Sequence, residues 1–334
     1  MKQVQVALLG LGNVGRAFAE FCRTNGDSLS QRINIRAVAD SSGGLVLDSD
    51  KDLDGVLTHK AQNRGIGEFS PSSIIADANQ FVARLSSSGV SVLVESLPTD
   101  ISNGQPALDL ITLALSLGLN VVTVDKGPLV HGFDQLKEAA QTGGSRFGYS
   151  GTTGVTIPEE LRGEQVLEIA GVLNGTSNHL LTEMQDRGLP FEEALAQAQA
   201  QGIAEPDPSL DIEGWDTAAK ILILVKSLMN ADTSLADVLR RGINAGTEAL
   251  IKTARANGKA VRLVGRARQQ DGQLRVTVAP EMIGADSPFF SVRGTSKLAV
   301  FKTRTREIAG SSSSGRDAIS QTIMDDVVRV LPAV

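Results

Sequence analysis

Acidic residues are concentrated in one short stretch of the chain, which ends at a lysine. Between Ala204 and Lys220 the sequence places five carboxylates, at Glu205, Asp207, Asp211, Glu213 and Asp216. Two prolines and Gly214 predict a shaped loop for the first part, and apolar residues recur at helical spacing from Trp215 onwards. Asp216 and Lys220 are then at positions i and i+4 of a helix, so their side chains share one face.

This carboxylate–lysine pair has two interpretations. A pair with this spacing is most often a solvated ion pair on a helix surface. Here, however, the helix face continues into Ile223 and Leu224, so the pair borders apolar surface. A lysine held between carboxylates in a cleft can bind a zwitterion or move a proton. We therefore predict that Asp216 and Lys220 belong to a ligand site whose other residues lie elsewhere in the chain.

A glycine-rich segment near the N-terminus predicts a dinucleotide site. Val4–Leu9 is a β-rich run, a helical pattern begins at Arg16, and Gly10–Gly15 between them has the pattern G-x-G-x-x-G. In this context the glycines allow a tight turn, the close approach of a pyrophosphate and the packing of helix on strand. The phosphates are predicted to meet the helix N-terminus. The predicted contacts are Gly10, Gly12, Asn13, Val14 and Gly15.

An acidic residue follows the second predicted strand. Ile33–Ala39 is a β-rich run that ends at Asp40. Dinucleotide-binding folds place there the carboxylate that accepts hydrogen bonds from the adenosine ribose. A carboxylate repels a 2′-phosphate, which favours NAD over NADP, although Arg36 and Lys51 are cations that could still bind a phosphate. The alternative for Asp40 is a simple turn residue after a strand.

Two further predicted strands end in residues suited to a ligand. Val90–Glu95 runs into Ser96 and Leu97, which we predict to contact the cofactor. Asn120–Val124 is followed closely by Lys126 and then by a Gly-Pro pair that predicts a turn. Ligands of open α/β sheets bind at the carboxyl ends of the strands. We therefore predict that Lys126 has a function at this edge rather than serving solubility alone.

The bulk composition is that of an ordinary globular protein. The 334 residues suggest about two domains, and 41% are hydrophobic and 21% charged. A net charge of -6 without a dense Lys/Arg cluster argues against nucleic acid. No signal-peptide pattern or membrane-length apolar run occurs, and the single cysteine, Cys22, fits a reducing compartment, so we expect a cytoplasmic protein with no membrane partner. Three histidines without a Cys/His cluster predict no metal site.

The order of the predicted elements gives two domains. An α/β, Rossmann-type dinucleotide-binding domain is predicted for residues 1–145, completed by 311–334, and an α+β catalytic and dimerisation domain for 146–310. Strands of the second domain are predicted at 146–150, 167–173, 262–268, 274–280 and 297–303. Residues 311–315 predict a flexible polar loop, and 317–330 predict a helix that packs back on the first domain.

Polar side chains follow the predicted strand at 167–173. Asn174, Thr176 and Asn178 precede a helical pattern that begins near Leu180. Thr176 and Asn178 either cap this helix or bind a small polar ligand, and the sequence favours neither role over the other.

Taken together, these motifs resemble those of the homoserine dehydrogenase family. The matching segments occur in the family's order and at similar spacing, and they are Gly10–Gly15, Asp125–Pro128, Leu173–Asn178, Glu205–Pro208, Asp211–Lys220 and Gly315–Ala318. The resemblance spans nearly the whole chain, and its Asn-Gly-Thr and Glu-to-Lys segments are quite specific to that family.

The resemblance implies an activity and a set of site residues. The reaction is the NAD- or NADP-dependent oxidation of L-homoserine to L-aspartate 4-semialdehyde, or its reverse, in threonine and methionine biosynthesis. The enzyme would be a homodimer joined through the sheet of the second domain. By the family pattern Lys126 and Lys220 flank the reacting hydroxyl as catalytic residues, and Gly315 contacts the cofactor. The substrate would be held by Thr176, Glu205, Asp211 and Asp216.

The chain also departs from the family pattern. Ser150 stands where the family has a glutamate that helps to bind a monovalent cation, so the resemblance does not extend to a metal site. Ser311–Gly315 replaces a glycine-rich loop near the nicotinamide. No regulatory domain follows Val334, so feedback by threonine through such a domain is not expected.

Two other functions are open at this point. The departures at Ser150 and Ser311–Gly315 fit a related dehydrogenase of another small amino or hydroxy acid, which oxidation assays across such substrates would reveal. A non-catalytic dinucleotide-binding or redox-sensing protein would bind NAD(H) without turnover. Lys126, Lys220 and Asp216 argue against the second function, because a sensor needs no pair of proton-handling side chains.

Overall fold

The computed structural model describes residues 3–25, 32–161, 163–270, 272–312 and 316–332 of the chain. The chain divides into two compact units, one formed by residues 1–152 and 315–334 and the other by residues 153–314. The boundaries that we expect from the sequence, 145/146 and 310/311, lie a few residues earlier. Each unit has its own hydrophobic core and, within the described residues, its own six-stranded sheet.

The first unit alternates strands with helices. Its strands are β1 (Val4–Leu9), β2 (Ile33–Asp40), β3 (Gly43–Val46), β4 (Val92–Glu95), β5 (Asn120–Thr123) and β6 (Phe147–Gly148). Its helices are α1 (Asn13–Asn25), α2 (Asp50–Ala61), α3 (Ala78–Ser87), α4 (Ala107–Ser116), α5 (Lys126–Gly143) and α12 (Arg316–Val330), with α6 (Ser150–Thr153) at the boundary between the units. The sheet order is β3-β2-β1-β4-β5-β6, parallel except for β3. This arrangement confirms the predicted Rossmann-type fold.

Apolar strands and flanking helices build the core of the first unit. Val6 and Leu8 of β1 are fully buried, as expected for a parallel strand covered on both faces. Phe18 of α1 and Val327 of α12 pack in the same core, so the C-terminal helix belongs to this unit. The strand order reverses between β1 and β4, and ligands of such sheets bind in the crevice at that point.

The second unit is an α+β fold, as predicted. Its strands are β7 (Glu168–Val172), β8 (Leu239–Arg240), β9 (Ala260–Gln270), β10 (Gln273–Ile283), β11 (Lys297–Lys302) and β12 (Glu307–Ser312). Its helices are α7 (Gly175–Arg187), α8 (Phe191–Ala200), α9 (Ser209–Ile212), α10 (Trp215–Leu228) and α11 (Ala245–Ala256). The sheet order is β12-β11-β7-β9-β10-β8, antiparallel except for the β8–β10 pair.

Helix α10 is fixed by the core beneath it. Every residue from Ile221 to Val225 is fully buried, and several of them pack against the sheet together with Leu180 of α7. Truncation of a buried leucine such as Leu222 to alanine typically costs about 2–5 kcal/mol. This anchoring holds Lys220, one residue before the buried run, in a defined place. No helix in the described ranges is both long and apolar enough to cross a bilayer.

Three local predictions are wrong. Lys126, Gly127 and Pro128 form the first turn of α5 rather than a separate turn, because Asp125 caps the helix and a proline tolerates the first turn, where no N–H partner is required. The strand predicted at 146–150 is only two residues long and is followed at once by α6. Ser311 lies in β12, paired with β11, and not in a flexible loop.

Candidate functional site

A buried amide in the second unit joins two carboxylates of the acidic stretch. Asn174 follows β7, and its Nδ2 donates to Asp211 Oδ1 at 2.6 Å and to Asp216 Oδ2 at 2.7 Å. Its Oδ1 accepts from the backbone N–H of Ser177 at 2.8 Å, so the same side chain caps α7. Because Asn174 is buried and bonded at both ends, it holds the two carboxylates beside each other.

Lys220 adds a cation to this pair. Its Nζ lies 2.7 Å from Asp216 Oδ2 and donates to the carbonyl of Leu173 at 3.0 Å. The two charged side chains are each only 13% exposed, so this is not a solvated surface pair. We refer to Asn174, Asp211, Asp216 and Lys220 as the acid–lysine cluster.

The two carboxylates of the cluster differ in their surroundings. Burial and then the charge of Asp216 raise the pKa of the Asp211 carboxyl above its usual range. The hydrogen bond from Asn174, the nearby Thr176 hydroxyl and the charge of Lys220 oppose that increase. Thr176, predicted as a substrate contact, is therefore close to Asp211, and its Oγ1 donates to the Ile203 carbonyl at 3.2 Å. Asn178 points elsewhere, because its Nδ2 donates to backbone carbonyls, the nearest that of Gly294 at 2.9 Å.

A glycine that the sequence analysis missed lies against the lysine. Gly154 has φ +72°, and a Cβ built there would be 3.3 Å from Lys220 Nζ and Cε and 3.1 Å from the Leu173 carbonyl oxygen. The positive φ and the lack of space both favour glycine at this position. Nothing in the sequence around Gly154 indicates its contact with α10.

A second lysine, also missed, lies beside the cluster. Lys297 is the first residue of β11 and is partly buried. Its pKa is lowered by burial and then by the positive charge of Lys220, whereas Asp216 acts in the opposite direction. Lys297 is thus close enough to interact with both charges of the Asp216–Lys220 pair.

The other acidic residues of the stretch lie outside the cluster. Glu205 and Asp207 are exposed, and Asp207 accepts a hydrogen bond from Ser209 N at 3.1 Å. Glu213 is also exposed and accepts from Trp215 Nε1 at 3.0 Å. Among the described residues, no hydrogen bond or ion pair joins the Glu205 carboxylate to the cluster. The structure thus brings Asp211 and Asp216 to the lysine, but not Glu205.

The glycine motif of the first unit leaves open space at a helix N-terminus. Gly10 has φ +105°, and a Cβ there would lie 2.6 Å from the Ser96 carbonyl oxygen, whereas a Cβ on Gly15 would lie 2.0 Å from the Gly10 oxygen. A Cβ on Gly12 would meet nothing within 4 Å. Helix α1 begins at the next residue, Asn13, so its unpaired N–H groups and positive dipole end adjoin this space. These features fit the pyrophosphate of a dinucleotide.

The strand-end residues Ser96 and Leu97 support this turn. Ser96 Oγ donates to the Gly10 carbonyl at 3.0 Å, and Leu97 N donates to Glu95 Oε1 at 2.6 Å. Val14, the remaining residue predicted to bind the cofactor here, packs against the core. The Ser96 side chain thus supports the turn, and the Val14 side chain belongs to the core.

Glu95 is a fully buried acid at the end of β4. Its Oε2 is 2.5 Å from the Thr123 hydroxyl. Burial and then the charge of Asp125 raise the pKa of Glu95 from 4.5 to about 8. Most Glu95 carboxyls are therefore neutral at pH 7, which removes the cost of a buried charge beneath the ligand edge of the sheet.

Lys126 occupies the first turn of α5, at the carboxyl end of β5. A cation at the positive end of a helix dipole is unfavourable, whereas the carboxylate of the adjacent Asp125 attracts it. Asp125 also caps the helix, because its Oδ1 accepts from Gly127 N at 2.8 Å. Gly127 is required by packing, since a Cβ there would lie 2.3 Å from the Asp100 carbonyl oxygen. The chain thus maintains Lys126 at the sheet edge where ligands bind.

Asp40 ends β2 with its carboxylate already bonded within the protein. Oδ2 accepts from Lys60 Nζ at 2.7 Å and from Ile66 N at 3.1 Å, and Oδ1 accepts from Ser42 N and Oγ at 2.8 and 2.5 Å. Burial acts to raise the pKa of Asp40, but these hydrogen bonds outweigh it and lower the pKa. Lys60 was not identified from the sequence, because it comes from α2.

Arg36 and Lys51 are the cations that the sequence places near the ribose. The Arg36 guanidinium donates to the Leu47 carbonyl, and the Lys51 side chain and Gly315 lie outside what the structure describes.

Ser150 N and Oγ each donate to Asp326 at 2.7 Å. The residue at the family's glutamate position therefore anchors α12.

Comparisons with known proteins agree with this geometry. The homoserine dehydrogenase family model matches residues 155–328. A homoserine dehydrogenase from Methanocaldococcus jannaschii is 31% identical to the chain over 98% of both sequences. The chain belongs to the homoserine dehydrogenase family. Within that family, an NAD(+)-dependent homoserine dehydrogenase from Pseudomonas canavaninivorans is 30% identical over 99% of this chain and 97% of that one. The crystal structure of a homoserine dehydrogenase from Thiobacillus denitrificans has a TM-score of 0.80 at 26% identity, covering 99% of this chain and 73% of that one.

The chain is therefore a homoserine dehydrogenase, an NAD(P)-dependent oxidoreductase that acts on a hydroxyl group. The resemblance inferred from the sequence motifs is confirmed. The assignment of individual residues to substrate and cofactor is a separate question, which depends on the chemistry of the two units.

Proposed function

We propose that the acid–lysine cluster is the substrate site at which this homoserine dehydrogenase interconverts L-homoserine and L-aspartate 4-semialdehyde. The observation that supports it most directly is the single Asn174 amide holding Asp211 and Asp216 together beside Lys220. Two adjoining carboxylates suit the ammonium group of an amino acid, and an amine beside them suits its hydroxyl group. A surface ion pair would have neither the bridging amide nor the burial.

Lys126 and Lys220 are proposed as the catalytic lysines. Alcohol oxidation requires loss of the hydroxyl proton, so an acceptor must lie within hydrogen-bond reach. A lysine amine can accept that proton, and a lysine that stays cationic can stabilise the developing alkoxide. The Leu173 carbonyl supports this role for Lys220 by accepting from its amine, and Gly154 leaves room for that amine.

The cofactor is proposed to bind at the glycine turn of the first unit, with NAD preferred. The chemistry that a nicotinamide supplies is acceptance of the hydride from the carbinol carbon. Asp40 supports NAD, because a 2′-phosphate would approach a carboxylate and would compete for the Lys60 ammonium that Asp40 already binds. The NAD(+)-dependent relative from Pseudomonas canavaninivorans supports the same choice. Gly10, Gly12, Asn13, Gly15 and Lys126 would contact the cofactor.

We propose a homodimer joined through the sheet of the second unit. Ala267 and Val278 belong to the core against the helices, so Arg266 and Ala279 lie on the opposite face of the sheet. On that face Arg266 pairs with Glu281 at 2.9 Å and with Glu168 at 3.5 Å. A sheet face with internally paired charges suits packing against the same face of a second copy.

We also propose a pathway, from the reaction, and a compartment, from the single cysteine. Threonine and methionine biosynthesis is the setting that the reaction implies, and the cytoplasm fits the single, reduced cysteine. Cys22 is buried, and burial raises the pKa of its thiol to about 12, so it is unreactive.

Initial rates with L-homoserine, with NAD and NADP side by side, test the proposed function. We expect oxidation of L-homoserine with a higher kcat/KM for NAD. Small hydroxy acids without the amino group should be oxidised much more slowly, because they leave Asp211 and Asp216 without a cationic partner. Faster oxidation of such a hydroxy acid than of L-homoserine would favour the related-dehydrogenase alternative. NAD(H) binding without turnover of any of these substrates would favour a sensor.

A further inference from the structure

Strand geometry places Lys297 on the same side of the sheet as the acid–lysine cluster. Side chains alternate between the two faces of a strand, so Lys297, Ala299 and Phe301 of β11 share one face. Ala299 and Phe301 lie in the core that contains Ile221 and Leu224 of α10. Lys297 therefore projects from the end of β11 on the side of α10.

The pairing of β11 with β7 brings Lys297 to the end at which the cluster lies. Leu298 is paired with Val172, so Lys297 is next to Leu173. The Leu173 carbonyl is the acceptor of the Lys220 ammonium, at 3.0 Å. Two lysines from distant parts of the chain thus meet at the carboxyl end of β7.

Hydrogen bonds from Asn178 of α7 fix the backbone that precedes Lys297. Asn178 Nδ2 donates to the Gly294 carbonyl at 2.9 Å and to the Ser296 carbonyl at 3.1 Å. The Thr295 carbonyl oxygen would lie 3.0 Å from a Cβ on Gly175, so this segment packs closely on the N-terminus of α7. Lys297 is therefore held in place by its backbone and not by an ion pair of its own.

The charges around Lys297 leave it without a counter-ion of its own. Asp216 is paired with Lys220 at 2.7 Å, and Asp211 accepts from Asn174 at 2.6 Å. Within the described ranges, no residue forms an ion pair or a hydrogen bond with the Lys297 ammonium. Burial and the charge of Lys220 lower its pKa, which agrees with a cation that lacks a close anion. An anionic group bound here would relieve both effects.

We propose that Lys297 binds the α-carboxylate of the amino-acid substrate. This inference rests on the proposed function, which gives the cluster an amino acid to hold. A zwitterion needs an anionic site for its ammonium group and a cationic site for its carboxylate. Asp211 and Asp216 supply the first and Lys297 supplies the second. Lys297 is then a specificity residue that distinguishes amino acids from amino alcohols of the same length.

Steady-state kinetics with two substrates test the role of Lys297. The substrates are L-homoserine and 3-aminopropan-1-ol, which has a hydrogen in place of the carboxylate and is measured as a substrate or as a competitive inhibitor. For Lys297→Met we expect KM for L-homoserine to rise roughly 10- to 100-fold, as for loss of one charge-assisted hydrogen bond. The kcat should stay within about threefold, as for loss of binding common to ground and transition states. The parameters for 3-aminopropan-1-ol and the KM for NAD should not change.

Two further variants separate recognition from folding. Lys297→Arg should restore part of the L-homoserine affinity, because a guanidinium also binds carboxylates. Lys252→Met removes the same charge from the exposed face of α11 and should leave every parameter unchanged.

Three results would overturn the inference while leaving the proposed function intact, provided that the unmodified enzyme oxidises L-homoserine. The first is an unchanged KM for L-homoserine in Lys297→Met. The second is an equal loss of affinity for L-homoserine and 3-aminopropan-1-ol in that variant. The third is a rise in its KM for NAD in place of its KM for L-homoserine. Absence of L-homoserine turnover by the unmodified enzyme would overturn the proposed function, and the inference with it.

Discussion

Asp211 is the residue at which substrate binding should respond to pH. Burial and the charge of Asp216 raise the pKa of its carboxyl, so protonation begins at a higher pH than for an ordinary aspartate. The ammonium group of the substrate is attracted by the ionised form alone. We expect kcat/KM for L-homoserine to fall as the pH is lowered, with the fall starting above the usual aspartate pKa of 3.8.

The pH profile of an Asp211→Asn variant is the control for this prediction. The variant should have a lower kcat/KM at neutral pH and should lose the part of the acid-side decrease that comes from Asp211. Circular dichroism at each pH shows whether the protein is folded. A wild-type profile that stays flat down to the point of acid unfolding would contradict the assignment of Asp211 to the ammonium group.

Glu95 should make the stability of the enzyme depend on pH in the opposite sense to most carboxylates. Its folded pKa of about 8 exceeds the ordinary 4.5, so between these values the folded state keeps a proton that the unfolded state has lost. The free energy of unfolding should therefore decrease as the pH rises from about 4.5 to about 8. Glu95→Gln is expected to match the wild type at pH 5 and to be more stable at pH 8, by on the order of a few kcal/mol. Thermal unfolding at both pH values measures this, and a variant less stable than the wild type at pH 8 would refute it.

Residues that act through local spacing were predictable from the sequence. Asp216 and Lys220 lie at helical spacing, and Gly10, Gly12 and Gly15 form a motif in the correct context. Lys60, Gly154 and Lys297 were missed because each meets its partner only through tertiary packing. Nothing in the local pattern around Lys297 differs from that of an ordinary strand residue.

At the scale of elements, the lack of a side chain at Gly154 leaves room for the lysine of α10. A Gly154→Ala substitution adds a side chain at φ +72° and at 3.3 Å from Lys220 Nζ. We expect a stability loss of about 1–2 kcal/mol from the strained backbone, and a decrease in kcat as the amine is displaced. Chemical denaturation and steady-state rates with L-homoserine measure the two effects.

Gly258→Ala is the matched control for the Gly154 substitution. Gly258 has φ +63°, and a Cβ there would meet nothing within 4 Å. It should lose similar stability and keep its kcat. Equal kcat values in the two variants would show that Gly154 does not position Lys220.

Most of the elements that carry the site were predicted. The errors lie where a helix cap or pairing at a sheet edge determines the secondary structure. The strand, glycine turn and helix at the N-terminus follow from hydrophobic periodicity and turn chemistry. Residues 126–128 were misassigned because a Gly-Pro pair usually marks a turn, whereas here the Asp125 cap makes it helical. Strand β12 was missed because Glu307–Ser312 is short and polar, and it becomes a strand by pairing with β11.

At the scale of the whole molecule, the proposed dimer predicts a specific disruption. Ala279 lies on the face of the sheet turned away from the helices and is partly buried. An Ala279→Lys substitution would place an unpaired charge in the interface, so we expect dissociation to monomers with unchanged secondary structure. Sedimentation velocity measures the change, and Ala256→Lys on the exposed end of α11 is the control. An unaltered oligomeric state in Ala279→Lys would place the interface elsewhere.

The sequence predicts two units, one nucleotide-binding and one α+β. The reason is that strands alternating with helices give way along the chain to longer antiparallel strands. The return of the C-terminal helix to the first unit was also predictable, since its apolar face requires a core. The role proposed for Lys220, the handling of the substrate's hydroxyl proton, is of a different kind and is the central claim. No local pattern in the sequence encodes that role.

Turnover of a Lys220→Met variant tests that central claim most directly. Loss of a residue that handles the hydroxyl proton should lower kcat for L-homoserine by about 100-fold or more, while NADH binding, followed by fluorescence titration, stays at the wild-type level. A kcat close to that of the wild type would show that Lys220 has no part in the reaction and that the cluster around it is structural.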